Sequence, residues 1–158
     1  MTKVLLSAHV LGAILAVGSI AVAASLFPRY AKQAVTDEGE ASGHAAGIAS
    51  LLHRICRGYA VAGFVVPVFG LATGAQLGVL TDTWLIVSMI LTVIAALMLA
   101  ALILPSQQRL LALPRQSAET EGLDVAASRL TMLTGIFNLL WSVVVVLMIV
   151  RPGSTTGA

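Results

Sequence analysis

Apolar residues fill four long stretches of the chain, and the charged residues are collected between and beside them. The stretches run over 4–27, 58–80, 84–104 and 130–150, and none of them contains Asp, Glu, Lys or Arg. At about 1.5 Å of rise per residue, each is long enough to cross a hydrocarbon core about 30 Å thick as a helix. Lipid offers backbone groups no hydrogen-bond partner, and four segments are too few to close a barrel. The pattern therefore predicts an all-α membrane protein, a bundle of four transmembrane helices.

The composition agrees with a membrane location. The 158 residues are 58% hydrophobic and 10% charged, with a mean hydropathy of +0.98, whereas a soluble domain carries about a quarter charged residues. The net charge of +2 comes from Arg and Lys beside the apolar stretches, so it does not indicate nucleic-acid binding. The single cysteine, Cys56, excludes an internal disulfide and a cysteine-based metal cage.

The first stretch is longer than the apolar core of a signal peptide, about 7–15 residues, so we expect it to be retained.

The Arg and Lys residues predict the orientation of the bundle. Seven of the nine lie in or beside the loops 28–57 and 105–129: Arg29, Lys32, Arg54, Arg57, Arg109, Arg115 and Arg129. Because positively charged loops stay in the cytoplasm, we expect both loops to be cytoplasmic and both termini to be outside. One transmembrane domain then covers 1–151, residues 46–57 extend the second helix below the membrane, and 152–158 form a flexible tail.

Small residues at helical spacing mark the second stretch. The predicted seam consists of Gly63, Pro67, Gly70, Gly74 and Gly78, and the first stretch has matching small residues at Gly12 and Ala16. Small residues at every fourth position let another backbone approach closely, which favours packing of the first two helices in one bundle. A homodimer seam and a groove for a flat cofactor are the alternatives. Pro67 removes a helix hydrogen bond at Gly63 and predicts a kink there.

Polar side chains from several helices are predicted to share the outer half of the membrane. These are His9, Gln76, Ser88, Thr92 and Ser142. Polar groups inside spans usually face the bundle interior, which predicts a polar cluster with a cavity that opens outward. The alternative is a set of ordinary hydrogen bonds between helices.

His9 is the candidate ligand for a metal or for haem b. His53 lies about 27 Å away along the bundle, at the cytoplasmic side, so one iron cannot bind both imidazoles. Met89 is the soft ligand at the depth of His9, and a His/Met pair suits haem iron or copper. The segment "HRICR" at 53–57 places His53 and Cys56 on one helix face, but a positive girdle with an incidental cysteine is the favoured interpretation.

Several segments taken together resemble a family of predicted integral membrane proteins in the CopD-like superfamily. They are "HVLGAILAVGS", "VVPVFGLATG", "WLIVSMILTVIAALMLAALILPSQQRL" and "VVVLMIVRPG". Relatives of that family include the copper-resistance protein D domain and the HemJ-type protoporphyrinogen oxidases. The resemblance implies a small helical bundle in a prokaryotic inner membrane, with a haem-associated histidine at His9. This chain has no lysine inside any apolar stretch and no Met/His-rich segment, so it departs from the oxidases and from copper importers.

The sequence thus favours a small non-enzymatic membrane subunit or binding protein, with a site formed by His9, Gln76, Ser88 and Met89. No nucleophile has a base beside it, and no charged residue lies inside a stretch, so we expect neither catalytic residues nor ion-coupled transport. Two alternatives remain: a haem-dependent redox or copper-handling protein of the CopD/HemJ type, and a homo-oligomeric scaffold. The expected partners are lipid and another membrane subunit or a second copy of the chain.

Overall fold

The computed structural model describes residues 2–63, 65–113 and 120–153, and those residues are helical with no strand. The helices are α1 Thr2–Thr36, α2 Gly39–Gly63, α3 Val65–Leu77, α4 Thr83–Met98, α5 Leu104–Leu111 and α6 Thr120–Val150, with a π-helical segment Leu99–Ile103 between α4 and α5. Four continuous runs are long and apolar enough to cross a membrane. The predicted four-helix transmembrane bundle is confirmed, while its orientation stays a prediction.

The helices extend well beyond the apolar stretches. Helix α1 continues through Pro28 to Thr36, so only Asp37 and Glu38 separate it from α2. Most of the predicted loop 28–57 is therefore helical, and the predicted extension of the second helix begins earlier than expected, at Gly39. A backbone φ of +60° at Gly39 favours glycine in this tight turn. We call this end of the bundle the hairpin end.

Two predicted features fall at the limits of the described residues. The kink expected at Gly63 from Pro67 would lie at the end of α2, beside residue 64, which is outside the described residues, so it stays a prediction. The predicted tail 152–158 is described only as far as Gly153, and Arg115 also lies outside the described residues.

Helix α1 is the centre of the bundle. It packs against α2, α3 and α6, whereas α4 packs mainly against α6. Most of the side chains with no exposed surface lie from mid-bundle to the hairpin end, and they include Ala24, Phe27, Ala49, Cys56, Ile103 and Leu130. At the opposite end of α1 the apolar side chains Val4, Leu11 and Ile14 are exposed. The best-packed part of the bundle is thus the hairpin end, and the other end leaves its apolar surface to the lipid.

The π-helical segment changes which face of the third span points inward. Ala95 and Gln107 are both fully buried, although residues 95 and 107 would be about 120° apart around a straight α-helix. A π-turn holds one extra residue, so the angle between residues 95 and 107 around the helix axis falls by about 100°. Pro105 follows the segment and has no N–H to donate to Ala101, so the helix ladder is already interrupted here. The π-turn therefore keeps Gln107 on the buried face.

The small residues of the predicted seam have different surroundings. A Cβ at Gly12 would lie 3.4 Å from Val66 Cγ2, and one at Gly70 would lie 2.9 Å from His9 Cε1, so both glycines allow α1 and α3 to approach closely. A Cβ at Gly74 would lie 3.1 Å from Leu85 Cδ2 and 3.2 Å from Leu80 Cδ2, and Ala16 is buried in α1. Among the described residues, nothing lies within 4 Å of a Cβ at Gly63 or Gly78. The close approach is thus concentrated at Gly12, Gly70 and Gly74.

At each end of the bundle, a contact between charged or aromatic side chains joins two helices. At the hairpin end, Lys32 Nζ lies 2.7 Å from Asp124 Oδ1, which joins α1 to α6. At the opposite end, the Arg151 guanidinium lies 5.7 Å from the centre of the Trp84 ring, and the Trp84 indole donates to Asp82 Oδ2 at 3.0 Å. Both contacts are partly exposed, so each adds little to the free energy of unfolding.

The variant Gly74→Leu should lower the thermal stability of the detergent-solubilised protein. A larger side chain at residue 74 would collide with Leu85 and Leu80, and overpacking of this kind costs about 1–3 kcal/mol. Gly18→Leu is the matched control, because a Cβ at Gly18 meets nothing within 4 Å among the described residues. Thermal unfolding followed by circular dichroism compares the two, and equal melting temperatures would show that position 74 is not closely packed.

Candidate functional site

His9 lies near the start of α1 and forms a hydrogen bond across to α3. Its Nδ1 lies 2.9 Å from the carbonyl oxygen of Val66. A carbonyl oxygen only accepts, so Nδ1 carries a proton and donates it. The ring is partly buried. The bond to Val66 therefore fixes the orientation of the His9 ring and leaves Nε2 as the ring nitrogen that Val66 does not use.

Gly70 makes room for this imidazole. A Cβ at residue 70 would lie 2.9 Å from Cε1 and 3.2 Å from Nδ1 of His9, so a side chain there would displace the ring. Beside the contact is a groove of about 260 Å³ between α1 and the second span, which we call the α1–α3 groove. Its walls are small or apolar and include Ala8, Gly12, Leu15, Tyr59, Val66 and Phe69. Val66, which accepts the hydrogen bond from His9, also lines this apolar groove, whereas the His9 ring is not part of its lining.

The other residues predicted to surround His9 do not pair with one another. Ser88 Oγ donates to the Trp84 carbonyl at 2.8 Å, and Thr92 Oγ1 donates to the Ser88 carbonyl at 2.7 Å. Ser142 Oγ donates to its own helix in the same way, at 2.9 Å. Serine and threonine often bond the carbonyl four residues earlier, which removes their need for a partner on another helix. Among the described residues, no hydrogen bond joins the side chains of two members of the predicted cluster, and the bond from Thr92 to the Ser88 carbonyl stays within α4.

Gln76 and Met89 are both exposed on the bundle surface. Met89 lies on α4, which packs mainly against α6 and not against α1. In the described part of the chain, no group of three or more His, Cys, Asp and Glu residues could hold a metal ion. His9 is therefore a single nitrogen ligand on the first span, and its pairing with Met89 stays a prediction.

A second polar group lies buried at the hairpin end, and we call it the buried trio: His53, Cys56 and Gln107. His53 Nδ1 lies 2.9 Å from Gln107 Oε1, and Gln107 Nε2 donates to Cys56 Sγ at 3.7 Å. Cys56 and Gln107 have no exposed surface and His53 is 8% exposed. The trio connects α2 to α5 by hydrogen bonds between side chains.

The sequence interpretation of "HRICR" needs correction in one respect. Arg54 and Arg57 are exposed at the hairpin end, as a positive girdle requires. Cys56, however, is not incidental, because it lies in the core and accepts a hydrogen bond from Gln107. The thiol is covered on all sides, which makes it a packing and hydrogen-bonding group with no access for a reagent.

Sequence analysis missed Gln107 because residues 105–129 were assigned to a loop. The available signal was the spacing of Leu99, Ile103, Gln107 and Leu110, which continues one buried face beyond Pro105. A buried glutamine in that row needs a partner, and His53 at the matching end of the second span is the polar residue available.

No family model matches the chain, and no curated protein or solved structure gives a match. The resemblance to the CopD-like superfamily therefore stays an expectation from the sequence.

Replacing Gln107 should destabilise the hairpin end and expose the thiol. In Gln107→Leu, the buried His53 Nδ1–H loses its acceptor, which costs about 1–3 kcal/mol. The neighbouring Gln108 is exposed, so Gln108→Leu is a matched control. Because Cys56 is the single cysteine, its rate of maleimide labelling reports directly on this region. We expect faster labelling and a lower melting temperature only in Gln107→Leu, and equal behaviour of the two variants would contradict a stabilising role for the trio.

Proposed function

We propose that this chain is a small non-enzymatic integral membrane protein that binds a ligand or a partner at the α1–α3 groove beside His9. The observation that carries the proposal is the hydrogen bond from His9 Nδ1 to the Val66 carbonyl. It fixes the orientation of the imidazole and leaves Nε2 as the ring nitrogen available to a ligand. In metal sites, a ligand histidine commonly donates its other ring N–H to a carbonyl oxygen, which fixes the orientation of the ring.

The cost of placing an imidazole inside an apolar span supports a role in binding. Polar side chains in spans are rare and usually mark a pathway or a binding site. Val66 satisfies one ring nitrogen, and the described residues give the other no hydrogen-bond partner. Gly70, which has no side chain, leaves the space that the ring occupies. The surroundings are aliphatic, which favours non-covalent binding over a reaction.

Haem b is the cofactor proposed for this site. His9 would hold the iron through Nε2, because Nδ1 is engaged by Val66, which fixes the orientation of the ring. Met89 stays the predicted second ligand, although α4, on which it lies, packs mainly against α6. A haem held there would supply ligand exchange or one-electron chemistry.

The proposed setting is the inner membrane of a prokaryote, with the hairpin end in the cytoplasm. Exposed cations at that end, Arg29, Lys32, Arg54 and Arg57, support this orientation. The large exposed apolar surface of each span supports contact with lipid and with a further subunit or a second copy of the chain.

An absorption spectrum tests the role of His9. We expect protein purified in mild detergent from haem-replete cells to show a Soret band that His9→Ala removes. His44→Ala is the matched control, because His44 is an exposed imidazole on α2 and should leave the band unchanged. A colourless wild-type protein would contradict haem binding. Equal loss of the band in both variants would contradict its assignment to His9.

A further inference from the structure

Helix α6 carries three buried polar atoms without a hydrogen-bond partner among the described residues. They are Thr134 Oγ1, Asn138 Oδ1 and Trp141 Nε1. Spacings of four and three residues place them on one face of the helix. An unpaired polar atom costs free energy when it is buried, and in hydrocarbon no water can compensate it. This part of α6 therefore has hydrogen-bonding capacity that the described chain does not use.

Two of these residues line a second groove, between α1 and α6, which we call the α1–α6 groove. Its volume is about 410 Å³, within the range of small-molecule sites, about 300–1,000 Å³. The apolar wall consists of Val17, Ala21, Val145 and Val146. Asn138, Trp141 and Ser142 are the polar residues of the lining, but the Ser142 hydroxyl already donates to the Asn138 carbonyl at 2.9 Å. Asn138 and Trp141 thus line an otherwise apolar groove, and each has a polar atom that lies buried beside the groove without a partner among the described residues.

The two polar atoms without a partner, on Asn138 and Trp141, favour one kind of ligand group. Asn138 Nδ2 is occupied, because it donates to Ser25 Oγ at 3.2 Å, so Oδ1 is left as an acceptor. Trp141 Nε1 can only donate. A single hydroxyl can accept from the indole and donate to the amide oxygen, whereas a carbonyl would satisfy only the indole. No charged side chain lines the groove, so a carboxylate or an ammonium group would lack a counter-charge.

We propose that the α1–α6 groove binds a neutral long-chain alcohol from the membrane. Its hydroxyl lies between Trp141 Nε1 and Asn138 Oδ1, and its chain lies along the apolar wall. Both atoms are covered by neighbouring side chains in this structure, so the indole and the amide rotate towards the groove as the hydroxyl enters. The site is separate from the α1–α3 groove, which lies beside His9.

Trp141 itself reports binding. The chain has two tryptophans, so Trp84→Phe leaves Trp141 as the single indole fluorophore. This variant, in phosphatidylcholine nanodiscs, is titrated with 1-hexadecanol and with the methyl ether of the same alcohol. The ether has the same chain and can accept a hydrogen bond, but it has no hydrogen to donate to Asn138 Oδ1. We expect a saturable change in emission with the alcohol and an apparent affinity about fivefold weaker, or weaker still, with the ether. Equal affinities, or no saturable change with the alcohol, would overturn the proposal.

Two variants in the same Trp84→Phe background separate the ligand contact from the internal hydrogen bond. Asn138→Leu and Ser25→Ala both remove the bond between Ser25 and Asn138, but only Asn138→Leu removes the acceptor for the alcohol. We expect Asn138→Leu to bind the alcohol about fivefold less tightly and Ser25→Ala to bind it nearly as the background does. Equal binding by the two variants would overturn the role of Asn138. If Asn138→Leu does not fold, the comparison of alcohol and ether still decides. His9→Ala should keep the full response, which separates this site from the one at His9.

Discussion

Helix α1 lies between α2, α3 and α6, and the rest of the bundle depends on how closely it approaches them. In lipid there is no hydrophobic force that drives helices together, so close packing of small residues has to hold them. Ala16, Ala23 and Ala24 are buried along α1, and Phe27 fills the centre of the core. Gly70 on α3 allows the His9 ring to contact the opposing backbone. The interhelical hydrogen bond and both grooves along α1 follow from this arrangement.

The same low-dielectric surroundings decide how the polar groups are used. Most intramembrane hydroxyls bond their own helix, so they neither hold helices together nor form a site. The two intramembrane imidazoles differ from them, because His9 and His53 each reach another segment, one to the Val66 carbonyl and the other to Gln107 Oε1. Both bonds use Nδ1 as the donor. Their surroundings differ, because His53 is enclosed in the core and His9 lies beside an open groove.

The two ends of the bundle therefore suit different roles. The hairpin end has the filled core, the buried trio and the ion pair between Lys32 and Asp124, all of which favour a rigid base. The opposite end has fewer buried side chains, and apolar grooves flank α1 there and towards its middle. Ligand sites are usually concave and mostly apolar, with a few polar groups that set the orientation. The less densely packed half of the bundle meets that description on both sides of α1.

The apolar pattern by itself determined four membrane-spanning helices, because an uncharged stretch of that length has one stable conformation in lipid. It also identified Gly12, Gly70 and His9 as special positions, since small and titratable residues are conspicuous among aliphatic ones. Only the tertiary structure decided which polar groups meet. The hydroxyls of Ser88 and Thr92 bond carbonyls of their own helix and not other members of the predicted cluster on other helices. The π-turn before Pro105 keeps Gln107 on the buried face, beside His53 and Cys56. Those outcomes depend on helix phase and on contacts between distant segments, which the spacing of residues along one helix does not contain.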